Sequence, residues 1–347
     1  MGLFGCLAGG GIKDIGVTNI TVTGNWGTGA LVGRNIRGAI SNSYAVGSVS
    51  GDYVVGGLVG YNQGSVSNCY ATGNVVGGGV VGDVGAVIGG FSIGGLVGLS
   101  ESGGTVSSCH FAGNVTSYLS CVDEWVTSTG VGGLVGLTYG TVSNSYSDAN
   151  VTGKDNVGGL VGNNNWGTLS DSYSAGSVTG DSSVGGLVGC NFFSSFTDSY
   201  STGKVNGYEN VGGLVGWNLE STISNSYSTG EVTGYEDVGG LVGHNQQEST
   251  VSNSYSTGSV TGNDRVGGLV GYTDPEGSVG NSFWDVETSG QATSDGGIGK
   301  NTTDMQDITT FSGAGWNMIA VALNETNPAY IWNIVNNVTY PFLGWQS

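Results

Sequence analysis

The chain repeats itself, and a repeat of this length leaves few folds open. Residues 211–237, VGGLVGWNLESTISNSYSTGEVTGYED, are followed at once by VGGLVGHNQQESTVSNSYSTGSVTGNDR. The leucine of the GLVG-like step recurs at Leu3, Leu31, Leu58, Leu96, Leu134, Leu160, Leu187, Leu214, Leu241 and Leu269, at intervals of 28, 27, 38, 38, 26, 27, 27, 27 and 28 residues. The two long intervals carry insertions near 77–90 and 117–130, both just before the step. Extra residues that enter at one corner leave the rest in register, as in solenoid coils.

The aromatic of SNSY gives a second column: Tyr44, Tyr70, His110, Tyr146, Tyr173, Tyr200, Tyr227, Tyr255 and Phe283. Four residues before each stands an apolar side chain, from Ile40 to Val279, and five residues after stands a valine, from Val49 to Val260. Two asparagine-rich columns accompany them, one at Asn42, Asn68, Asn144, Asn225, Asn253 and Asn281, the other at Asn35, Asn62, Asn164, Asn191, Asn218 and Asn245. Short β-branched runs between Gly, Asn and Ser read as strands and turns, and no stretch has a useful helical period. A unit this short cannot bury its own apolar side, but stacked copies set Val on Val, Tyr on Tyr and Asn on Asn. The fold class is therefore all-β, a parallel β-solenoid of about ten coils of ~27 residues, rising about 4.8 Å per coil to a rod of about 48 Å.

Two readings of the V-G-G-L-V-G step remain open. Strict alternation puts Leu on one face and both valines on the other, leaving an apolar outer row that would mark a lateral contact. A bend at Gly-Gly would break the alternation and remove that row.

The 347 residues include 70 glycines and 3 prolines, and the 7 Lys and Arg against 26 Asp and Glu give a net charge of −19. Nucleic acid and anionic membrane surfaces are poor partners for such a chain, because both are bound through clustered cations. No stretch approaches the roughly 20 apolar residues that span a bilayer. The opening MGLFGC has no basic region and is no complete export signal. An exported protein would carry its signal outside this sequence. The five cysteines show no metal-ligand spacing. Cys69 and Cys109 share a column in adjacent repeats and could form a disulfide, while Cys6, Cys121 and Cys190 have no evident partners.

Candidate sites are few. Asp171 and Asp198 replace Asn in adjacent coils and would sit about 5 Å apart. Turn capping is favoured for them over a glycosidase carboxylate pair. Asp155, Glu209, Glu236 and Asp264, each five residues before the step leucine, form a possible cation stripe, with Asp181 and Asp237 close by. Solvated turns are the favoured reading. Tyr61, Trp217, His244 and Tyr272 follow the GLVG step and form a possible aromatic ligand row, able to stack on sugar rings or to pack against a neighbour. Two histidines, His110 and His244, support no Ser/His/Asp or Cys/His arrangement. Neither a catalytic residue nor a cofactor is expected. Six N-x-S/T sequons, at Asn19, Asn114, Asn150, Asn301, Asn324 and Asn337, are compatible with a glycosylated surface protein.

The pattern VGGLVGxN…VSNSYSTGxVTG resembles the GLUG-motif repeats of bacterial and archaeal surface proteins, including a segment of some IgA-cleaving metallopeptidases. The resemblance covers residues 1–285. The remainder, 286–347, is similar to the segment that commonly closes such arrays, with a short helix expected at Thr303 to Ile308 and Trp284, Trp316, Trp332 and Trp345 available to cover the last coil. The family implies an extracellular or cell-surface setting but no common chemistry, and the HExxH of the peptidases is absent. The expected role is a non-enzymatic structural or adhesive surface protein, partnering itself in a filament or layer, other surface proteins, or glycans. The alternatives are a carbohydrate-binding or polysaccharide-active β-helix, and a spacer module of a larger surface protease or adhesin. The first coil begins at residue 3 without a leading cap, so either a preceding domain or a head-to-tail contact would cover that end.

Overall fold

The computed structural model describes residues 1–78, 91–118 and 129–346. Cys121 and most of both insertions lie outside the described residues. The chain winds as a parallel β-solenoid whose coils each cross four faces. In one coil, Val215–Leu219 lies on face a, Thr222–Ser224 on face b, Tyr227–Ser228 and Val232–Thr233 on face c, and Glu236–Gly239 on face d. Stacking the coils makes sheets of 10, 10, 16 and 9 strands, in the same order, and every pairing between coils is parallel.

Equivalent letters sit directly above one another. The aromatic column pairs Tyr173 with Tyr200 and Tyr200 with Tyr227. Its rings stack at 4.9 Å with interplanar angles of 3° and 4°. This spacing is the inter-strand distance itself, so the ladder sets the ring separation.

The bend at Gly-Gly settles the step. Between Glu236–Gly239 and Val242–Gln246 the chain turns at Gly240 and Leu241. Val238, Leu241 and Val242 all point into the core at 0% exposure, so no apolar outer row exists at this step. Leu3, in the first coil, differs from the other step leucines and is 62% exposed, because only one neighbouring coil packs on it.

Two polar ladders run through the interior. Asn164 donates its side-chain amide to Asn191, Asn191 to Asn218 and Asn218 to Asn245, each at 2.9 Å and each fully buried. At the turn from face b to face c, the amide of each coil's Ser donates to the hydroxyl of the next, as from Ser172 to Ser199 and from Ser199 to Ser226. Cys69 and Cys109 occupy this serine column. Both thiols are free: the Cys69 amide donates to the Cys109 sulfur, and each thiol donates to the carbonyl two residues back, as serine does in the same place. The disulfide is therefore not formed, since the column already gives each sulfur a serine's partners.

The C-terminal segment corrects the sequence reading twice. The expected helix is instead two, Thr302–Met305 and Ile308–Ser312, capped by Asn301 and Asp307. The four tryptophans also do not share one task. Trp284 lies in the main core over Gly268, and the last coil's free edge is met by Thr293, Ser294 and Asp295, which pair with Gly268, Leu269, Val270 and Thr273. Trp316, Trp332 and Trp345 instead belong to a second cluster laid sideways on face c. There the Trp345 indole donates to the Asp198 carbonyl, Gln346 donates to the Tyr227 hydroxyl, and the Tyr255 hydroxyl donates to the Pro341 carbonyl. Residues 318–320, 332–334 and 342–343 form a small mixed sheet. Buried Asp285 fastens this segment, accepting from the Thr302 and Tyr340 hydroxyls, both at 2.7 Å.

Candidate functional site

The bend brings together side chains seven residues apart in sequence. The second residue of the last five face-d strands takes a left-handed conformation, at Asn156, Ser183, Asn210, Asp237 and Arg265 with φ 51°, 54°, 52°, 51° and 48°. In three of these coils its side chain is brought to the residue that follows the GLVG step. Asn156 and Asn163 both donate to the Thr129 carbonyl. One coil pair carries the charged version. His244 lies 3.5 Å from Asp237 and 3.3 Å from Asp274, and Arg265 pairs with both Glu236 and Asp237 while lying 4.7 Å over the Tyr272 ring.

The aromatic row is thus only partly a row. Trp217, His244 and Tyr272 are register neighbours, but Tyr61 is separated from them by Leu99, Leu137, Asn163 and Cys190. Tyr61 packs instead against Arg34, which also covers Trp26. The rings in the row also have partners within the protein. The Trp217 indole donates to Gln246 at 2.8 Å, His244 is tilted 56° to Tyr272, and the Arg265 guanidinium covers Tyr272. A continuous platform for stacked sugars does not form here, because each ring has already been given a partner within the protein.

The acidic stripe is likewise interrupted. Asp155 pairs in register with Ser182, and only Glu209, Glu236 and Asp264 stack without a break. Arg265 then partly neutralises the middle of that file. Among the described residues, no group of three or more His, Cys, Asp or Glu is arranged to hold a metal ion. Asp171 and Asp198 hold left-handed turn positions, φ 48° and 52°, in the same column as Asn144 and Asn225. Burial, with Asp171 adding to it, raises the Asp198 carboxyl above the usual range. His110 is stacked between Tyr70 and Tyr146 at 5.1 and 4.8 Å, and burial lowers its pKa against the opposing pull of Asp148. All six sequon asparagines, Asn19, Asn114, Asn150, Asn301, Asn324 and Asn337, are exposed. Asn114 and Asn150 share one column, in which Asn150 donates to Asn114 and Asn114 to Asn74.

Sequence reasoning missed Arg265 and Asp274 as members of the charged corner. The seven-residue spacing from Asp237 to His244, repeated from Arg265 to Tyr272, is the signal that would have found the first of them.

The corner gives a pH prediction. Burial pushes the Asp237 carboxyl up to about 6 from 3.8, against the pull of His244 and Arg265 and with Glu236 and Glu209 adding to the rise. A carboxyl raised by folding holds its proton more tightly in the folded state. Its contribution is therefore full below about pH 3.8 and is lost as pH rises through about 6. The melting midpoint of Asp237→Asn, taken relative to wild type, is expected to climb across that window. A pH-independent difference would show that the group carries no such linkage.

Comparison with known proteins bears on the repeat. A family model described as the GLUG motif matches residues 24–50, 51–76, 180–206, 207–233 and 234–261. No curated protein sequence matches the chain. Among solved structures, a candidate immunoglobulin A1 protease from Bacteroides ovatus, at 1.30 Å resolution, is similar with a TM-score of 0.40 and 16% identity, over 86% of this chain and 78% of that one. The matched segments carry GLUG motif repeats, and they lie in a parallel β-solenoid whose neighbouring coils pair in register.

Proposed function

We propose that the chain is a non-enzymatic element of a cell surface or extracellular layer, a rod that holds a shape and presents repeated columns to its surroundings. One observation carries this reading: the polar side chains that could perform chemistry pair with the rod itself. His244 sits between two carboxylates, Asp171 and Asp198 hold turns, and the asparagines and serines ladder along the axis. Groups committed to internal pairs stabilise a scaffold and leave little to polarise a substrate. The net charge of −19 and the six exposed sequons suit an acidic, glycosylated surface coat.

Self-association is part of the proposal. The C-terminal edge is closed by Thr293, Ser294 and Asp295, which take up backbone groups of the last coil and block coil-on-coil addition there. A filament or layer of these rods would therefore be held by contacts between their sides. Electron microscopy of the purified chain is expected to show rods about 48 Å long, isolated or side by side. Antibody against the chain is expected to label intact producing cells. Labelling only after lysis would overturn the extracellular assignment, and turnover of a polysaccharide by the purified chain would overturn the non-enzymatic one.

A further inference from the structure

The corner from face a to face b turns through one left-handed residue. In successive coils this residue is Trp166, Phe193, Glu220 and Gln247, with φ 55°, 47°, 46° and 40°, and in an earlier coil it is Arg37 with φ 57°. Asn or Gly takes this conformation at least cost, and bulky rings are uncommon there. Two consecutive coils nevertheless place aromatic rings at the position. Trp166 is 65% exposed, the most exposed tryptophan among the described residues.

The rings form a short stack with an open end. The Trp166 indole lies on Phe193 with centroids 4.5 Å apart and planes 12° apart, and Phe192 braces Phe193 edge-on at 4.4 Å and 77°. On its other side the stack stops. Val135 pairs with Val161 and Thr141 with Thr168, yet Thr168 lies seven positions after Val161 where Thr141 lies six after Val135. The coil below is thus one residue shorter at this corner, and no residue stands in register under the indole. The aromatic column on face c differs: its rings lie face to face and offer only edges and hydroxyls.

A flat, uncovered aromatic face of this size matches the C–H face of a sugar ring. The net charge of −19 selects among sugars by repelling acidic ones. We propose that Trp166, backed by Phe193, is a stacking platform for a pyranose ring of an uncharged polysaccharide. The site goes beyond the scaffold role: rods that bind no glycan would overturn it and leave that role standing.

Affinity electrophoresis of the whole chain tests the site, using gels that hold a β-glucan, a glucomannan, dextran or hydroxyethylcellulose. At least one of these is expected to retard the protein. Trp166→Asn, which keeps a residue suited to the left-handed turn, is expected to weaken that binding about tenfold or more. Trp166→Phe should retain part of it and serves if the Asn variant folds poorly, while Trp26→Ala should leave it unchanged. Retardation by none of the four, or binding that survives both Trp166 variants, would overturn the proposal.

Discussion

Gly212→Ala is expected to disrupt the coils around it. The new methyl carbon would lie 1.9 Å from the Val215 carbonyl oxygen and 2.8 Å from the Gly243 nitrogen. Both are backbone atoms of the bend, held in place because the Leu214 and Val215 amides both donate to the Leu241 carbonyl. Overpacked side chains typically cost 1–3 kcal/mol by shifting aside, and backbone in two coils cannot shift, so a loss of about 3 kcal/mol or more is expected. Gly5→Ala is the control: its methyl would meet nothing within 4 Å, so it should stay within about 0.5 kcal/mol of wild type. Urea unfolding followed by coil-resolved hydrogen exchange reads both, since a repeat array need not unfold as one unit. A Gly212→Ala chain that unfolds like the Gly5→Ala chain would refute the tight bend.

Asn191→Ala should remove a link from the buried asparagine ladder. The Asn164 amide would lose its acceptor and the Asn218 carbonyl one donor, both at 0% exposure. Each buried polar group left unmade costs about 1–3 kcal/mol, so a total of about 2–5 kcal/mol is expected. Asn114→Ala breaks the same pairing in the exposed column, between Asn74 and Asn150, and is expected to cost under about 0.5 kcal/mol, because water replaces the partner. Equal losses for the two variants, in protein made without glycosylation, would mean that burial does not set the ladder's worth.

The charged corner and the aromatic platform were legible only in part. Trp217, His244 and Tyr272 could be placed in one column by counting, but their side-chain partners could not. Arg265 covers Tyr272 because the bend folds face d against face a, and no letter in V-G-G-L-V-G fixes how sharply it turns. Trp166 passed unnoticed for a related reason. Its exposure follows from a one-residue difference between neighbouring coils, which shows as the 26-residue interval from Leu134 to Leu160 but has meaning only once register is known.

The repeat by itself determined the parallel winding, the number of coils and the identity of every column, because a short unit with one apolar side has no other way to bury it. Tertiary structure decided the rest. It bent the chain at Gly240 and Leu241 so that both valines and the leucine share one core, kept Cys69 and Cys109 as thiols in a serine ladder, and laid Trp316, Trp332 and Trp345 along face c. Those outcomes depend on distances between segments far apart in sequence. A column's letters say what lies above and below a residue, and they are silent about what lies beside it.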